Sequence, residues 1–484
     1  MGMSDALHAL NVAIAERETA GDKDWFAALL APEFTMRRAS GACVNRHEFL
    51  DAVGPSANRK TTGVTGEEVE LAASAMCVVS MEQPDGSWKS FRNYRAFVRT
   101  DTAAAWQLLT WANEPTGPQV NIVGKVALEF TGESKTLKNL HNLSAIQRDG
   151  DCLWLASDEL TTLERLTRVT DAAGEAAGTA GDEEGYGDHR SFPLGDLGVT
   201  LPAGNDEEID IEGLDLANGY LWLVGSHSST RKNLEPDADA NALEEFAEIR
   251  ERPNRHLLVR IALARDGNGF SPVAETTPGA SEERRTTAAL VGDLAKALLA
   301  DDHLAPFLAI PAKENGLDVE GLAVFGDRVL LGLRGPVLRG WATVLEVEPR
   351  DHPNKPARLT LGSPPYRKHF LDLDGLGVRD LCRDGDDLLV LAGPTMGLDG
   401  PVRVYRWRGA ANGRDQEIVA GSDLSVAVEL PFGNGDDHAE AITVISPEGE
   451  PVRLLVVYDS PSAGRLKEGD GELTMVADLT APLP

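Results

Sequence analysis

At 484 residues the chain is too long for one ordinary compact core, and 42% hydrophobic with 25% charged residues match a soluble globular protein. Forty-eight glycines and 27 prolines point to many turns rather than long helices. Lys and Arg total 46 against 77 Asp and Glu, so the formal net charge of −31 excludes nucleic acid and anionic membrane surfaces as partners over most of the exterior.

The opening residues, MGMSDALHALNVAIAERETAGD, carry acids early and lack a basic start followed by an apolar run, so no secretory signal is expected. No stretch reaches the apolar length of a membrane span. Cys43, Cys77, Cys152 and Cys382 have no CxxC spacing, which predicts reduced core thiols and a cytoplasmic protein.

Residues 4–20 read as an amphipathic helix, and DKDWFAALLA continues with apolar residues at helical spacing. EFTMRRA, EEVELAASAMCVVSMEQ, SWKSFRNYRAFVRTD and AAAWQLLTWANEP then alternate apolar residues in strand fashion. Helices first and a meander after predict an α+β domain over residues 1–116. Its last strand pair, ending in AWQLLTWANEP, resembles the close of the SnoaL-like, ketosteroid-isomerase-like cone domains. That resemblance implies a pocket lined by Arg37, His47, Tyr94, Arg95 and Trp111, and a module that dimerises. His47 falls in NRHEFLDAV, a predicted surface helix, so no catalytic residue is assigned there, and a homodimer through this domain is the expected assembly.

The remainder, residues 120–484, contains an internal repeat. HNLSAIQRDGDCLWLASDE, DIEGLDLANGYLWLVGSHS, DVEGLAVFGDRVLLGLRGP, GVRDLCRDGDDLLVLAGPT and HAEAITVISPEGEPVRLLVVYDS each read as strand, tight turn, strand. Turns are expected at Asp149-Gly150, Asn218-Gly219, Gly326-Asp327 and Asp384-Gly385, dipeptides suited to the positive φ of two-residue hairpins. LERLTRV, HLLVRIAL, ATVLEVE, PVRVYRWRG and ELTMVADL supply outer strands, giving four-stranded units at intervals of roughly sixty residues, the pattern of a β-propeller. The fold class is therefore mainly β, a five-bladed propeller behind the N-terminal domain, or a six-bladed one if the long interval hides a blade. That interval is read as a helical insertion around 235–310, and AAGEAAGTAGDEEGYGD as a disordered loop. The last blade lacks a strand, and KVALEFTG is expected to complete it. Through DIEGL, LWLVGSHS, DVEGLAVFGDRVLLGLRGPV and HAEAI, residues 122–480 resemble the bacterial domain-of-unknown-function family 3616, which implies no activity.

One position of each inner strand holds Ser144, Glu212, Glu320, Asp380 and Glu440 when the repeats are stacked. Four carboxylates facing one narrow channel repel, and a hard cation resolves the conflict. Calcium accepts six to eight oxygen ligands in flexible geometry, so these residues are the expected ligands of a central calcium. The arrangement is similar to that of calcium-activated nucleotidases, as an analogy of architecture. The competing reading pairs the acids with Arg379 and Arg334.

Counting outward from the turns gathers Asp210, Asp318, His141, His227, Arg334, Arg339, Arg379, His438 and Asp459 on one face. A metal beside basic residues makes a seat for a small anionic ester or phosphate, with His227 or His438 as general base and Arg334 holding the anion. GxSxG, GxxxxGK, HExxH and dinucleotide motifs do not occur, which disfavours covalent and nucleotide-motor chemistry. The alternative is a non-enzymatic binding propeller in which the metal only fastens the blades.

Overall fold

Ser4 and Gly21 set the ends of the first helix, Asp5–Ala20. The serine hydroxyl accepts from the Leu7 amide, and the glycine takes φ 67°, a conformation open to a residue without Cβ. In the computed structural model, which describes residues 3–39, 42–82, 88–116, 120–169, 184–204, 207–234, 240–266, 269–277, 284–413, 415, 417–432 and 435–483, this helix begins the first of two units. The units are Met1–Gln119 and Val120–Pro484.

The first unit is a six-stranded sheet in the order Cys43–Asn45, Leu30–Arg37, Gln107–Thr116, Trp88–Val98, Ala72–Glu82, Arg59–Glu68. EEVELAASAMCVVSMEQ spans two of these strands. Helices Asp5–Ala20, Lys23–Leu29 and Arg46–Ala52 pack against the sheet around Leu7, Ile14, Phe26, Phe34, Phe49, Phe97 and Trp111. Arg95 is buried, donates to the Asn11 carbonyl (3.0 Å) and to the Asn93 side chain (3.0 Å), and stacks over Trp111. Tyr94 lies on the outer face and is 41% exposed, and His47 is exposed beside Asp51, so neither joins Arg95 and Trp111 inside. The cavity of this unit, 290 Å³, is lined instead by Glu18, Arg38, Phe49, Arg59, Asn93 and Asn113 among others.

Five hairpins organise the second unit: Leu143–Asp149 with Cys152–Ser157, Ile211–Ala217 with Tyr220–Gly225, Asp318–Phe325 with Arg328–Gly335, Gly377–Asp384 with Asp387–Gly393, and His438–Val444 with Leu454–Asp459. Near-continuous apolar runs such as LWLVG and LLVLAG let the strands bury both faces between neighbouring sheets. The first strand of each hairpin packs beside that of the next, and the fifth returns to the first. Apolar clusters follow the same circuit. Ala145 and Trp154 of the first hairpin meet Leu214 and Leu221 of the second, and Leu143 and Leu153 meet Leu455 and Val457 of the fifth. Each fully buried leucine contributes about 2 kcal/mol of transfer free energy, so the layers between sheets carry most of the stability.

Strand Ile122–Thr131 closes the circuit as the sequence anticipates. It pairs antiparallel with Glu472–Thr480, and it also runs parallel to Glu184–Pro193, joining the sheets of the fifth and first hairpins. No helix among the described residues is long and apolar enough to cross a membrane.

Three expectations change. The interval 235–310 is not simply a helical insertion: Leu257–Asp266 and Ala288–Val291 are strands of the second sheet, and the helices there are the short Ala240–Ala247 and Asp293–Leu298. The apolar run of TTAALV extends the sheet because its neighbour Leu257–Asp266 offers an open edge. The segment read as a disordered loop contributes Glu184–Asp188 to a strand, and its residues 172–183 lie outside the described residues. Two turns shift by one residue, since Asp149 pairs with Cys152 and Asp384 with Asp387, which puts the bends at Gly150-Asp151 and Gly385-Asp386.

Candidate metal centre at the channel mouth

Every inner strand carries a bulge near its start. The register skips one residue between Leu143 and Ala145, Ile211 and Gly213, Val319 and Gly321, Val378 and Asp380, and Ala439 and Ala441. A bulged residue leaves the ladder and its side chain is re-aimed. The bulged residues are Ser144, Glu212, Glu320, Arg379 and Glu440. The EGL motif follows from the same crowding: a Cβ at Gly213 would stand 2.8 Å from the Leu322 backbone nitrogen of the next strand.

Glu212, Glu320 and Glu440 meet at this level, each buried, with one carboxylate oxygen apiece lying within 4.8 Å of the others. Ser144 is also buried there, but its hydroxyl donates to the Ile211 carbonyl (2.5 Å). Asp380 is not part of the group. Its two oxygens accept from the Leu381 amide (2.7 Å) and from the Ile442 amide of the next inner strand (2.8 Å), because the bulge belongs to Arg379 and turns Asp380 sideways. Arg379 instead occupies the ring position, 3.3 Å from Glu320 and in a short ion pair with Glu440. Arg334 donates to Glu320 (2.6 Å) and to the Thr395 carbonyl (3.1 Å).

Glu212 stands apart. It is 9% exposed and makes no hydrogen bond or ion pair with a described residue. Burial pushes its carboxyl well above the usual range, and Asp210, Glu320, Glu440 and Asp318 push it further. The cavity it faces has a volume of 510 Å³ and also takes in Asp158, Asp210, Asp318, Asp459, Arg255 and Arg334. Leaving aside Glu314, which pairs with Arg231 (2.5 Å), and Lys232, which pairs with Glu245, seven carboxyl groups of the lining meet the guanidiniums of Arg255 and Arg334 and the ammonium of Lys313, with Arg379 reaching Glu320 and Glu440 from beside the cavity. Arg255 is engaged by Asp210 (2.5 Å) and Glu208 (2.5 Å), so the excess of acid is concentrated at Glu212.

Neither predicted histidine reaches this cavity. His227 is buried with φ 56°, bonds the Gly225 carbonyl through Nδ1 (2.8 Å) and lies edge-on to His256. Burial and the neighbouring His256 push its pKa down to about 4, so it stays neutral as a packing residue. His438 bonds Asp399 (3.0 Å) and lines a neighbouring cavity. The sequence reading missed Asp158, whose carboxyl is pushed up to about 7 by burial and then by Asp210 and Asp459. The signal for it lies in the repeat, since Asp158 follows the first hairpin where Asp459 ends the fifth.

Comparison with known proteins gives a family and a partial likeness. The sequence pattern of the family described as "Protein of unknown function (DUF3616)" matches residues 142–478. No curated protein matches the chain. Several solved structures resemble its N-terminal part. One is an NTF2-like protein of unknown function in nutrient uptake from Rhodospirillum rubrum, with 15% identity over 22% of this chain and 93% of that one, TM-score 0.20. Another is an NTF2-like protein from Cytophaga hutchinsonii, with 10% identity over 24% and 100%, TM-score 0.21. A third is the CaMKII hub of S. rosetta, with 22% identity over 24% and 98%, TM-score 0.21.

Proposed function

Given that the chain belongs to the DUF3616 family of proteins of unknown function, we propose from its own channel that it is a metal-dependent hydrolase built on a five-bladed β-propeller. The five-membered circuit of inner strands supports the blade count. The reading is that a divalent cation, calcium by its oxygen donors, is held by Glu212 with Glu320 and Glu440 at the channel mouth. The observation that carries it is Glu212, buried, unpaired and ringed by other acids.

The substrate is a small anionic ester or phosphate. A cation held by Glu212, Glu320 and Glu440 would supply polarisation of an ester oxygen; water would add at the carbonyl or phosphorus, giving up a proton that is returned to the departing alcohol. Asp158, with its pKa near 7, takes the role of proton acceptor that the sequence assigned to His227 or His438. Arg334 is committed to Glu320 and to the Thr395 carbonyl, and its Nη2 is the donor left for the ligand.

A second reading has its own observation. Arg379 ties Glu320 of the third hairpin to Glu440 of the fifth, and a cation on Glu212 adds the second hairpin, so the metal fastens the ring without chemistry. Calorimetric titration of calcium into chelator-treated protein tests the common premise. Binding is expected in the wild type and its loss in Glu212→Gln; a wild type that binds no calcium overturns both readings. Turnover of a phosphate- or carboxylic-ester panel, dependent on calcium and lost in Asp158→Asn, separates the first reading from the second.

The N-terminal unit is assigned the role of a homodimer contact. Met76, Tyr94 and Ala112 stand side by side on adjacent strands, on the sheet face away from the helices. Tyr94→Glu is expected to halve the mass seen by sedimentation, and a wild type that sediments as a monomer removes the proposal. The four free cysteines fit a reducing cytoplasm, which cell fractionation checks.

A further inference from the structure

The carboxylate cavity shares a wall with a second one of 240 Å³, and Lys313, Arg334 and Asp459 line both. The second cavity has the opposite character. Its basic side chains are Lys313, Arg334 and Arg379, with His438 beside them, and the acids among its described lining residues are Asp459 and Asp399. Asp399 is already committed, accepting from the Gly435 amide (3.0 Å) and from His438 (3.0 Å). The glycine-rich segment GPTMGLDGP contributes Pro394, Met396, Leu398 and Asp399 to its lining.

Arg334 and Arg379 are both 8% exposed; Arg334 gives Nη1 to Glu320 and Nε to the Thr395 carbonyl, and Arg379 gives Nη1 to Glu320 and Nη2 to Glu440. A guanidinium presents five donors in a planar fork, so Nη2 of Arg334 and Nε of Arg379, which make no bond to a described residue, are left for a second anion. Lys313, on the short turn Ala312–Glu314, is exposed and makes no ion pair or hydrogen bond with a described residue. It is an unneutralised ammonium at the boundary between an acidic cavity and a basic one.

We propose that the second cavity is an oxyanion subsite, taking a phosphate or carboxylate group of a ligand whose ester bond lies over the neighbouring carboxylate cavity, with Lys313 as the free cation that meets it. This deepens the hydrolase reading above and rests on it for the identity of the second cavity's neighbour. It also gives His438 a place: a binding wall, held in orientation by Asp399, rather than a base.

The test titrates inorganic phosphate, and separately acetate, into chelator-treated full-length protein by calorimetry, with calcium titrated in a parallel arm. One of the two anions is expected to bind, and Lys313→Ala to weaken it about tenfold, the size of one charge-assisted contact, with calcium affinity held or raised because the lysine also lines the carboxylate cavity and its charge opposes a cation there. Failure of both anions to bind, or equal binding by Lys313→Ala, overturns the subsite. Calcium binding without anion binding removes the subsite alone; anion binding without calcium binding removes the cation reading and leaves the basic cavity standing.

Discussion

The two ends of each inner strand treat buried acids differently. Toward the hairpin turns, Asp215 accepts from the Leu216 amide and from the Val324 amide of the next strand, and it meets Arg383 in a two-pronged pair at 2.7 and 2.8 Å. Asp380 bonds its own strand and the next in the same manner, and Thr443 accepts from the Arg148 amide across the closure (3.1 Å). These side chains lace one hairpin to its successor. At the bulged starts, among the described residues, Glu212 has no donor and Glu440 has Arg379 alone. A buried acid with donors fastens the fold, and one without them holds charge ready for a ligand. The contrast separates scaffold from site more sharply than burial does.

Arg379 is the hinge of that contrast, because it meets two of the bulged acids, Glu320 and Glu440, and is the partner of Glu440. Replacing it by alanine leaves Glu320 with Arg334 alone and Glu440 unpaired, and breaking a buried pair of this kind costs about 3–5 kcal/mol. Arg379→Ala is therefore expected to lose about that much in urea unfolding at pH 7 with chelator present. Calcium is expected to restore part of the loss by replacing the missing positive charge. A variant as stable as the wild type would dissolve the distinction between the two ends, and a loss that calcium leaves untouched would place the cation elsewhere.

Local signals carry the hairpins into view from sequence. The apolar runs LWLVGS and LLVLAG and the Asn218-Gly219 and Gly326-Asp327 turns need only neighbouring residues to be read. The closing strand is legible for a different reason, since a sheet that ends short needs a partner from the other terminus. Glu212, Glu320 and Glu440 follow from the repeat. Asp380 does not, because it is the acid next to the ring position, which the register gives to Arg379. Counting back five residues from Asp149, Ala217, Phe325 and Asp384, each the last paired before its turn, reaches Ser144, Glu212, Glu320 and Arg379. His227 escapes the same count because the chain leaves the ladder after Gly225 and turns through a positive φ, which swings the ring out of the face shared by its neighbours. The parallel pairing of Leu30–Arg37 with Gln107–Thr116 is set by residues some seventy positions apart in the chain, beyond the reach of any local pattern.

A smaller effect sharpens the scaffold side. Burial pushes the Asp380 carboxyl up to about 8, against the pull of its two backbone donors. A native state that holds this proton above the pH at which an unfolded aspartate releases it, near 4, loses stability as pH rises between those limits. The slope approaches, at most, about 1.4 kcal/mol per pH unit in mid-window. Asp380→Ala leaves the Leu381 and Ile442 amides unsatisfied and is expected to cost about 1–3 kcal/mol at pH 5, where the acid is protonated and its bonds are intact. The difference from wild type should narrow as the pH is raised to 8, because only the wild type carries the ionisation cost. Urea midpoints of the two proteins across pH 5 to 8 measure both terms. A gap that widens with pH would mean that the carboxylate form is the one the two amides hold, and that Asp380 resembles the salt-bridged Asp215 rather than standing between it and Glu212.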